Sequence, residues 1–395
     1  MAEKKRCRAC GNVLGNESLL SLPGMPGAVQ NLPADRDEAL ASGVALDVRQ
    51  CDGCGLVQLT NRPVPYYRDV IRAGSFSPSM RARQLYEFQR FVQRFSLQGK
   101  NILEIGSGRG EYLSLLKELP VNAFGMEHNG EYIKTANEKG LKTFSGYPTD
   151  LTGPITDLIF DAFLSINFLE HAPDPGAFLR SCASLVSETA IGMIAVPDLE
   201  FELRDNCLFS FMSDHLSYFS SDSLRNILIL NGFEVIDLFR NDKLNVVTAY
   251  FQRRRSCDLS APMGRYRNVT EEIKDYLDSI LDSGRRVAVW GASHLAFSII
   301  SAAGMQDRIS YIVDSATFKQ GRFASPSGLE IFPPSHLFED PVNAVMIFCP
   351  EYSSEIVGEI KEKYDSVVHS IATFKNGGLE IVSEEESEKR CCSHG

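Results

Sequence analysis

From Asn101 onward, short apolar runs alternate with runs of helical character. NILEIG is followed by EYLSLLKEL, NAFGME by EYIKTANEKG, and FDAFLSIN by GAFLRSCASLV, with AIGMIAVP closing the series. This alternation predicts a mostly parallel sheet with helices on both faces. FEVIDLF and NVVTAYFQR then read as a closing hairpin. Upstream, Leu85, Phe88, Phe91, Val92 and Phe95 recur at helical spacing, and Ser77 before Pro78 is a helix start, so a helix is expected from Pro78 to Phe95. RRRSCDLSAPMGRYRN is polar and reads as a linker. After it come a helix, VTEEIKDYLDSILDSG, and a second alternation: RRVAVWGAS, AFSIISAAG, ISYIVDS, AVMIFCP and EIVGEIKEKY. The expected division is a turn-rich domain over residues 1–65, an α/β core over 66–255, a smaller α/β domain over 256–382 and a charged, disordered tail over 383–395.

Composition narrows the function classes. A chain of 395 residues exceeds one core, and 44% hydrophobic with 23% charged residues is ordinary for a soluble protein. The net charge of −11 argues against nucleic acid as a partner. No apolar stretch reaches membrane-span length, and MAEKKRCRAC has no apolar core of a secretory signal. The expectation is a cytoplasmic protein with no membrane partner, in a reducing setting where cysteines are more often ligands than disulfides.

Four of the ten cysteines form two knuckles, Cys7-Arg-Ala-Cys10-Gly and Cys51-Asp-Gly-Cys54-Gly. A CxxC turn presents two thiolates to one ion, and zinc takes four such ligands in a tetrahedron. Cys7, Cys10, Cys51 and Cys54 are therefore the candidate metal ligands, of a closed structural site, with disulfides or free thiols as the alternative.

The segment NILEIGSGRGEYLSLL places glycines between a strand and a helix. Its spacing, Glu104-x-Gly106-x-Gly108-x-Gly110, differs from the GxGxxG of dinucleotide folds, and no lysine follows as in a phosphate-binding loop. Glu127 ends the next strand, where an acid can hold both ribose hydroxyls. A third block, NFLEHAPDP from Asn167 to Pro175, follows another strand. Together these resemble the class I S-adenosylmethionine-dependent methyltransferases. The resemblance implies a Rossmann-like core with S-adenosylmethionine as cofactor. It implies that Gly106, Gly108 and Gly110 approach the methionyl and ribose portions and that Glu127 holds the ribose diol. Glu104, Ser107, His128, Asn167 and Glu170 complete the candidate cofactor set.

The order of CRACG, CDGCGLVQL, SGRG, LEHAPDP, DHLSYFS and YIVDSATFKQGR resembles, over almost the whole chain, the zinc-containing, three-domain sugar C-methyltransferases. These act on nucleotide-linked deoxy-keto-sugars. The resemblance implies a second Rossmann-like domain at the C-terminus and a small-molecule acceptor, a nucleotide sugar or a similar polar molecule, between the core and that domain. Its catalytic loop usually reads YHEHLSYFS; here it is Met212-Ser213-Asp214-His215-Leu216-Ser217-Tyr218-Phe219-Ser220. His215 falls on the general base, Asp214 on its acidic partner and Met212 on a tyrosine, and methionine cannot donate a proton to an enolate oxygen. The lysine of the family's GAxAKG loop is Leu295 here. His171 is the third candidate catalytic residue. C- and O-methylation both remain open, with N-methylation or a non-catalytic cofactor-binding protein as alternatives; a nicotinamide oxidoreductase is disfavoured because WGASHLA lacks two of the fingerprint glycines.

Overall fold

The computed structural model describes residues 5–30, 32–69, 77–151, 153, 155–204 and 208–383. The segment assigned to the charged tail lies outside them from residue 384 onward. The chain forms two compact units, Met1–Ser256 and Cys257–Gly395.

The first unit begins with β1 (Leu20–Pro26), α1 (Arg36–Ala41), β2 (Gly43–Gln50) and β3 (Val57–Leu59). After α2 (Pro78–Arg94) come β4 (Asn101–Ile105), α3 (Glu111–Leu116), β5 (Asn122–Glu127), α4 (Gly130–Glu138), β6 (Thr143–Ser145) and β7 (Phe160–Ile166). Then follow α5 (Pro175–Ser184), β8 (Val186–Pro197), α6 (Leu199–Arg204), β9 (Ser217–Tyr218), α7 (Ser221–Leu230), β10 (Phe233–Asn241) and β11 (Val246–Arg253). As expected, α2 starts at the Ser77–Pro78 pair: the Ser77 side chain accepts from the Met80 N–H, and proline at the first turn gives up no helical hydrogen bond.

Seven strands make the central sheet, in the order β10-β11-β8-β7-β4-β5-β6. β8, β7, β4, β5 and β6 run parallel, while β11 and β10 return antiparallel, the predicted hairpin. The two-residue period of the strands sends alternate side chains into two cores. Leu103, Ile105, Phe163, Val247, Ala249 and Phe251 pack with α5 and α7 on one face. Ile102, Ala162, Leu164, Ile166, Val246 and Tyr250 pack with α2 and α3 on the other. The chain moves outward from β4 through β5 and β6, then crosses back to place β7 on the other side of β4. A ligand crevice is expected outside the carboxyl ends of the strands at such a reversal.

The N-terminal segment does not stand by itself. A four-stranded sheet runs β1-β2-β3-β9, and its last member comes from the DHLSYFS stretch. Val57 pairs with Tyr218 and Gln58 with Ser217. Leu46, Val48, Val57 and Leu59 share a core with Leu199, Phe211 and Tyr218. Phe219 is fully buried in the main core, a burial that contributes roughly 2–3 kcal/mol. Ser220 then caps α7 in a reciprocal box with Ser223.

The second unit contains α8 (Ser260–Leu281), β12 (Val287–Trp290), α9 (His294–Ala302), β13 (Ile312–Val313), β14 (Arg322–Phe323), β15 (Glu330–Phe332) and α10 (His336–Glu339). β16 (Ala344–Ile347), α11 (Ser353–Glu359), β17 (Ser370–Lys375) and β18 (Gly378–Ser383) complete it. Its sheet, β14-β15-β13-β12-β16-β17-β18, is parallel in the middle and antiparallel at both edges. α8 starts inside the stretch read as a linker. Asp258 accepts from the Ser260 N–H, and Pro262 lies in the first turn, where its missing N–H is harmless. No residue of α8 before Val269 is buried, so those turns carry no apolar period for sequence reasoning to find.

Candidate active site

The loop after β4 is shaped by its glycines. Gly106, Gly108 and Gly110 have φ of 75°, 53° and 85°, a region that side chains with a Cβ seldom adopt. A Cβ on Gly106 would meet the Phe168 ring at 2.5 Å, and one on Gly110 would overlap Leu141. Glu127, at the end of β5, locks the loop from behind. One of its carboxylate oxygens accepts from the Gly108 N–H (2.9 Å); the other accepts from the His128 and Asn129 N–H groups (2.8 and 2.9 Å). A carboxylate offers about four lone-pair sites and three are taken, so one remains to accept from a ribose hydroxyl. Glu104 lies in β4 beneath the loop, buried, with one oxygen unpartnered; burial foremost, then Glu111 and Glu127, pushes its pKa well above the usual carboxylate range.

Gly106, Ser107, Gly108, Glu111, Tyr112, Asn167, Phe168, Glu170, His171 and His215 line one cleft of about 250 Å³, with Gln30 contributed by the N-terminal segment. The turn after β7 forms its second wall. Asn167 takes a left-handed φ of 50°, which asparagine tolerates, and its N–H donates to Ala195. Glu170 is 1% exposed and leaves one carboxylate oxygen unpartnered, and burial pushes its pKa up to about 8.

His171 is buried, and its Nδ1 is 2.9 Å from the Asp214 carbonyl. A carbonyl only accepts, so Nδ1 carries the proton and Nε2 is a lone pair, 3.8 Å from Glu170. The His215 ring stands edge-on to it, with centroids 4.7 Å apart. Burial lowers the pKa of His171 to about 4; burial and then the neighbouring His171 lower that of His215 to about 3. Burial thus keeps both imidazoles neutral at physiological pH and makes them weaker bases than an exposed histidine.

Asp214 is placed differently from a partner of His215. Its carboxylate accepts from the Tyr66 hydroxyl at 2.6 Å, and its carbonyl holds His171. Burial raises its pKa against the opposing hydrogen bonds of Tyr66 and Ser213. Tyr66, its own pKa raised to about 12 by burial and Asp214, also accepts from the N–H of Val29, next to Gln30 of the cleft wall. The turn carrying Tyr66 also reaches the start of α4. Asp69 accepts from the Asn129 amide (2.9 Å) and lies 3.2 Å from His128 Nε2, while Arg68 pairs with Asp150. Sequence reasoning missed Tyr66, Gln30 and Arg8, and nothing in their local pattern marks them.

Cys7, Cys10, Cys51 and Cys54 come together with all four sulfurs within 4.8 Å of one another. Cys7 and Cys54 are 3.6 Å apart and Cys10 and Cys51 3.5 Å. Four sulfurs at tetrahedral zinc lie about 3.8 Å apart, so the donor set fits such an ion. The Cys54 sulfhydryl foremost, with the Gln58 amide, favours the Cys7 thiolate. The knuckle is also tied to the cleft: the Arg8 guanidinium donates to the carbonyls of Leu59 (3.2 Å) and Pro173 (3.1 Å), and the latter belongs to the EHAPDP turn.

Residues 80–238 match the family described as a methyltransferase domain, and residues 262–373 the family described as a C-methyltransferase C-terminal domain. The chain is 25% identical to the C-methyltransferase NovU of Streptomyces niveus over 414 residues, covering 95% of this chain and 94% of that protein. A ubiquinone biosynthesis O-methyltransferase of Bordetella avium is 30% identical over 98 residues, covering 23% of this chain and 40% of its own. A solved S-adenosylmethionine-dependent methyltransferase from Aquifex aeolicus overlaps 45% of this chain and all of its own at 19% identity, with a TM-score of 0.36.

The fold and the two family matches define an α/β, Rossmann-like methyltransferase. The chain is a class I S-adenosylmethionine-dependent methyltransferase with a C-methyltransferase C-terminal domain. The positive-φ loop, whose first glycine leaves no room for a Cβ, and the unpartnered Ser107 hydroxyl beside the cleft fit that cofactor. Among the described residues no helix is long and apolar enough to cross a membrane.

Gly106→Ala is expected to weaken S-adenosylmethionine binding by about tenfold or more, the equivalent of roughly 1.4 kcal/mol of backbone strain and ring displacement. Calorimetric titration of the variant checks this; affinity equal to the wild type would show that the loop is not the cofactor floor.

Proposed function

We propose that the protein methylates a nucleotide-linked deoxy-keto-sugar at carbon, with His215 as the general base. The observation that carries this reading is the neutral His215–His171 pair, which lines the same cleft as the glycine loop and Asn167. When bound, the cofactor supplies an electrophilic methyl group on a positively charged sulfur. Gly106, Ser107, Gly108 and Gly110 hold its methionyl and ribose portions, Glu127 its ribose diol, and Glu104, His128, Asn167 and Glu170 support that cradle. His215 takes the proton from the carbon beside the acceptor's ketone as the methyl moves. Such a base contributes typically 10²–10⁴-fold. Asp214, next to His215 in the chain, is held by a hydrogen bond from the Tyr66 hydroxyl. The similarity to a C-methyltransferase along nearly the full length favours carbon over oxygen as the acceptor atom.

O-methylation is the second reading, supported by the shorter similarity to O-methyltransferases. It needs only proximity and a base, with no enolate to stabilise. With cofactor ¹³C-labelled at the methyl group and a panel of nucleotide-linked keto-sugars, the product is expected to carry its label as a carbon-bound methyl in the NMR spectrum. A methoxy signal would replace the first reading with the second. His215→Ala is expected to lower kcat by about 10²–10⁴ while cofactor affinity stays within about twofold. Full turnover in that variant would remove His215 from the chemistry.

The four cysteines are proposed to hold one structural zinc, which suits a reducing cytoplasm and leaves no open coordination position. Its role is to fix the Arg8 knuckle against Pro173. Metal analysis is expected to find about one zinc per chain, and Cys10→Ser to lower both metal content and Tm. Metal-free protein with unchanged Tm would contradict it.

A further inference from the structure

The cleft has a marked electrical character. Among the described residues that line it, the acids are Glu111 and Glu170, and there is no lysine or arginine. Glu111 stands at the start of α3. Glu170 is different: it is 1% exposed, and one of its oxygens has no partner. Its other neighbours give it no positive charge. His171 presents a lone pair at 3.8 Å, because its only ring proton goes to the Asp214 carbonyl. A Glu170 oxygen and one ring nitrogen each of His171 and His215 lie within 4.8 Å of one another. Asp214, on the same loop as His215, spends one carboxylate oxygen on Tyr66. Glu104, under the glycine loop, is a second buried acid.

An isolated buried carboxylate is costly and keeps its proton until a cation compensates it. The burial that raises this group to about pKa 8 agrees with that geometry. On the reading that S-adenosylmethionine occupies the cleft, we propose that Glu170 is the counter-charge of its sulfonium and releases a proton to solvent when the cofactor binds. The step balances simply. A neutral carboxyl and a cation become a carboxylate–cation pair, and one proton leaves to solvent.

Two consequences follow for function. Methyl transfer turns the sulfonium into a neutral thioether, so the pairing that favours the substrate form of the cofactor is lost in the product. The cleft then discriminates between the two by charge at sulfur, and Glu170 helps eject S-adenosylhomocysteine. The neutral carboxylate–sulfonium pair also spares the imidazoles facing Glu170 an uncompensated positive charge, which would otherwise depress their basicity further when the cofactor binds.

The sign of the pH dependence is fixed. Protons compete with the cation for Glu170, so S-adenosylmethionine affinity rises with pH, approaching tenfold per unit between about pH 6 and 7, and levels off above about pH 8. Calorimetry at about pH 6.5 in two buffers of different ionisation enthalpy reads the proton number directly. S-Adenosylmethionine is expected to release close to one proton from the wild type and S-adenosylhomocysteine far fewer. Glu170→Gln is expected to abolish the difference and to shrink the preference for the sulfonium form by about tenfold or more. The wild-type comparison of the two ligands stands even if the variant does not fold. If both ligands bind with equal proton release, the counter-charge role falls while the cofactor reading survives. If neither binds, both fall.

Discussion

The site depends on how firmly the turn after β7 is held. Residues 167–173 are secured from four directions. Asn167 donates to Ala195 on β8, and the Glu170 carbonyl accepts from Leu216. His171 donates to the Asp214 carbonyl, and Arg8 reaches the Pro173 carbonyl from the cysteine knuckle. Each bond is worth only about 0.5–1.5 kcal/mol net. Their combined effect is to give Asn167, Glu170 and His171 one position relative to the glycine loop. Without that, a carboxylate and two imidazoles a few ångströms apart would find other partners.

The same arrangement ties the N-terminal segment to the candidate site. Its sheet is completed by β9, which starts two residues after His215 and pairs with β3. Gln30 of that segment reaches the cleft wall, and Tyr66, just after it, reaches Asp214. Metal at the four cysteines would therefore act on catalysis through mechanics, by fixing the knuckle whose Arg8 braces the turn. The two histidines are kept neutral by burial, and a buried pair of this kind titrates according to the charges brought next to it.

Much of this was legible in the chain because it is local. The alternation of apolar and helical runs predicted the central sheet, since strand and helix periods are written over a few residues each. The glycine loop and the acids before and after it were readable for the same reason: a strand-to-helix turn with positive φ demands glycine at fixed spacing. The helix from Pro78 was found from its cap and stripe. What escaped is non-local. Tyr66 meets Asp214 across 148 residues and Arg8 meets Pro173 across 165, and neither carries a local signature. The start of α8 escaped because its first turns bury nothing. The role of Asp214 also differs from the sequence expectation in one respect: its carboxylate is turned to Tyr66, and its backbone is what orients a histidine.

The most direct measurement is a crystal structure of the protein grown with S-adenosylmethionine. The account predicts density for the cofactor over Gly106, Gly108 and Gly110, its ribose at Glu127 and its sulfur on the side of Glu170 and His215. Density for the cofactor elsewhere, or a cleft that excludes it, would contradict the account.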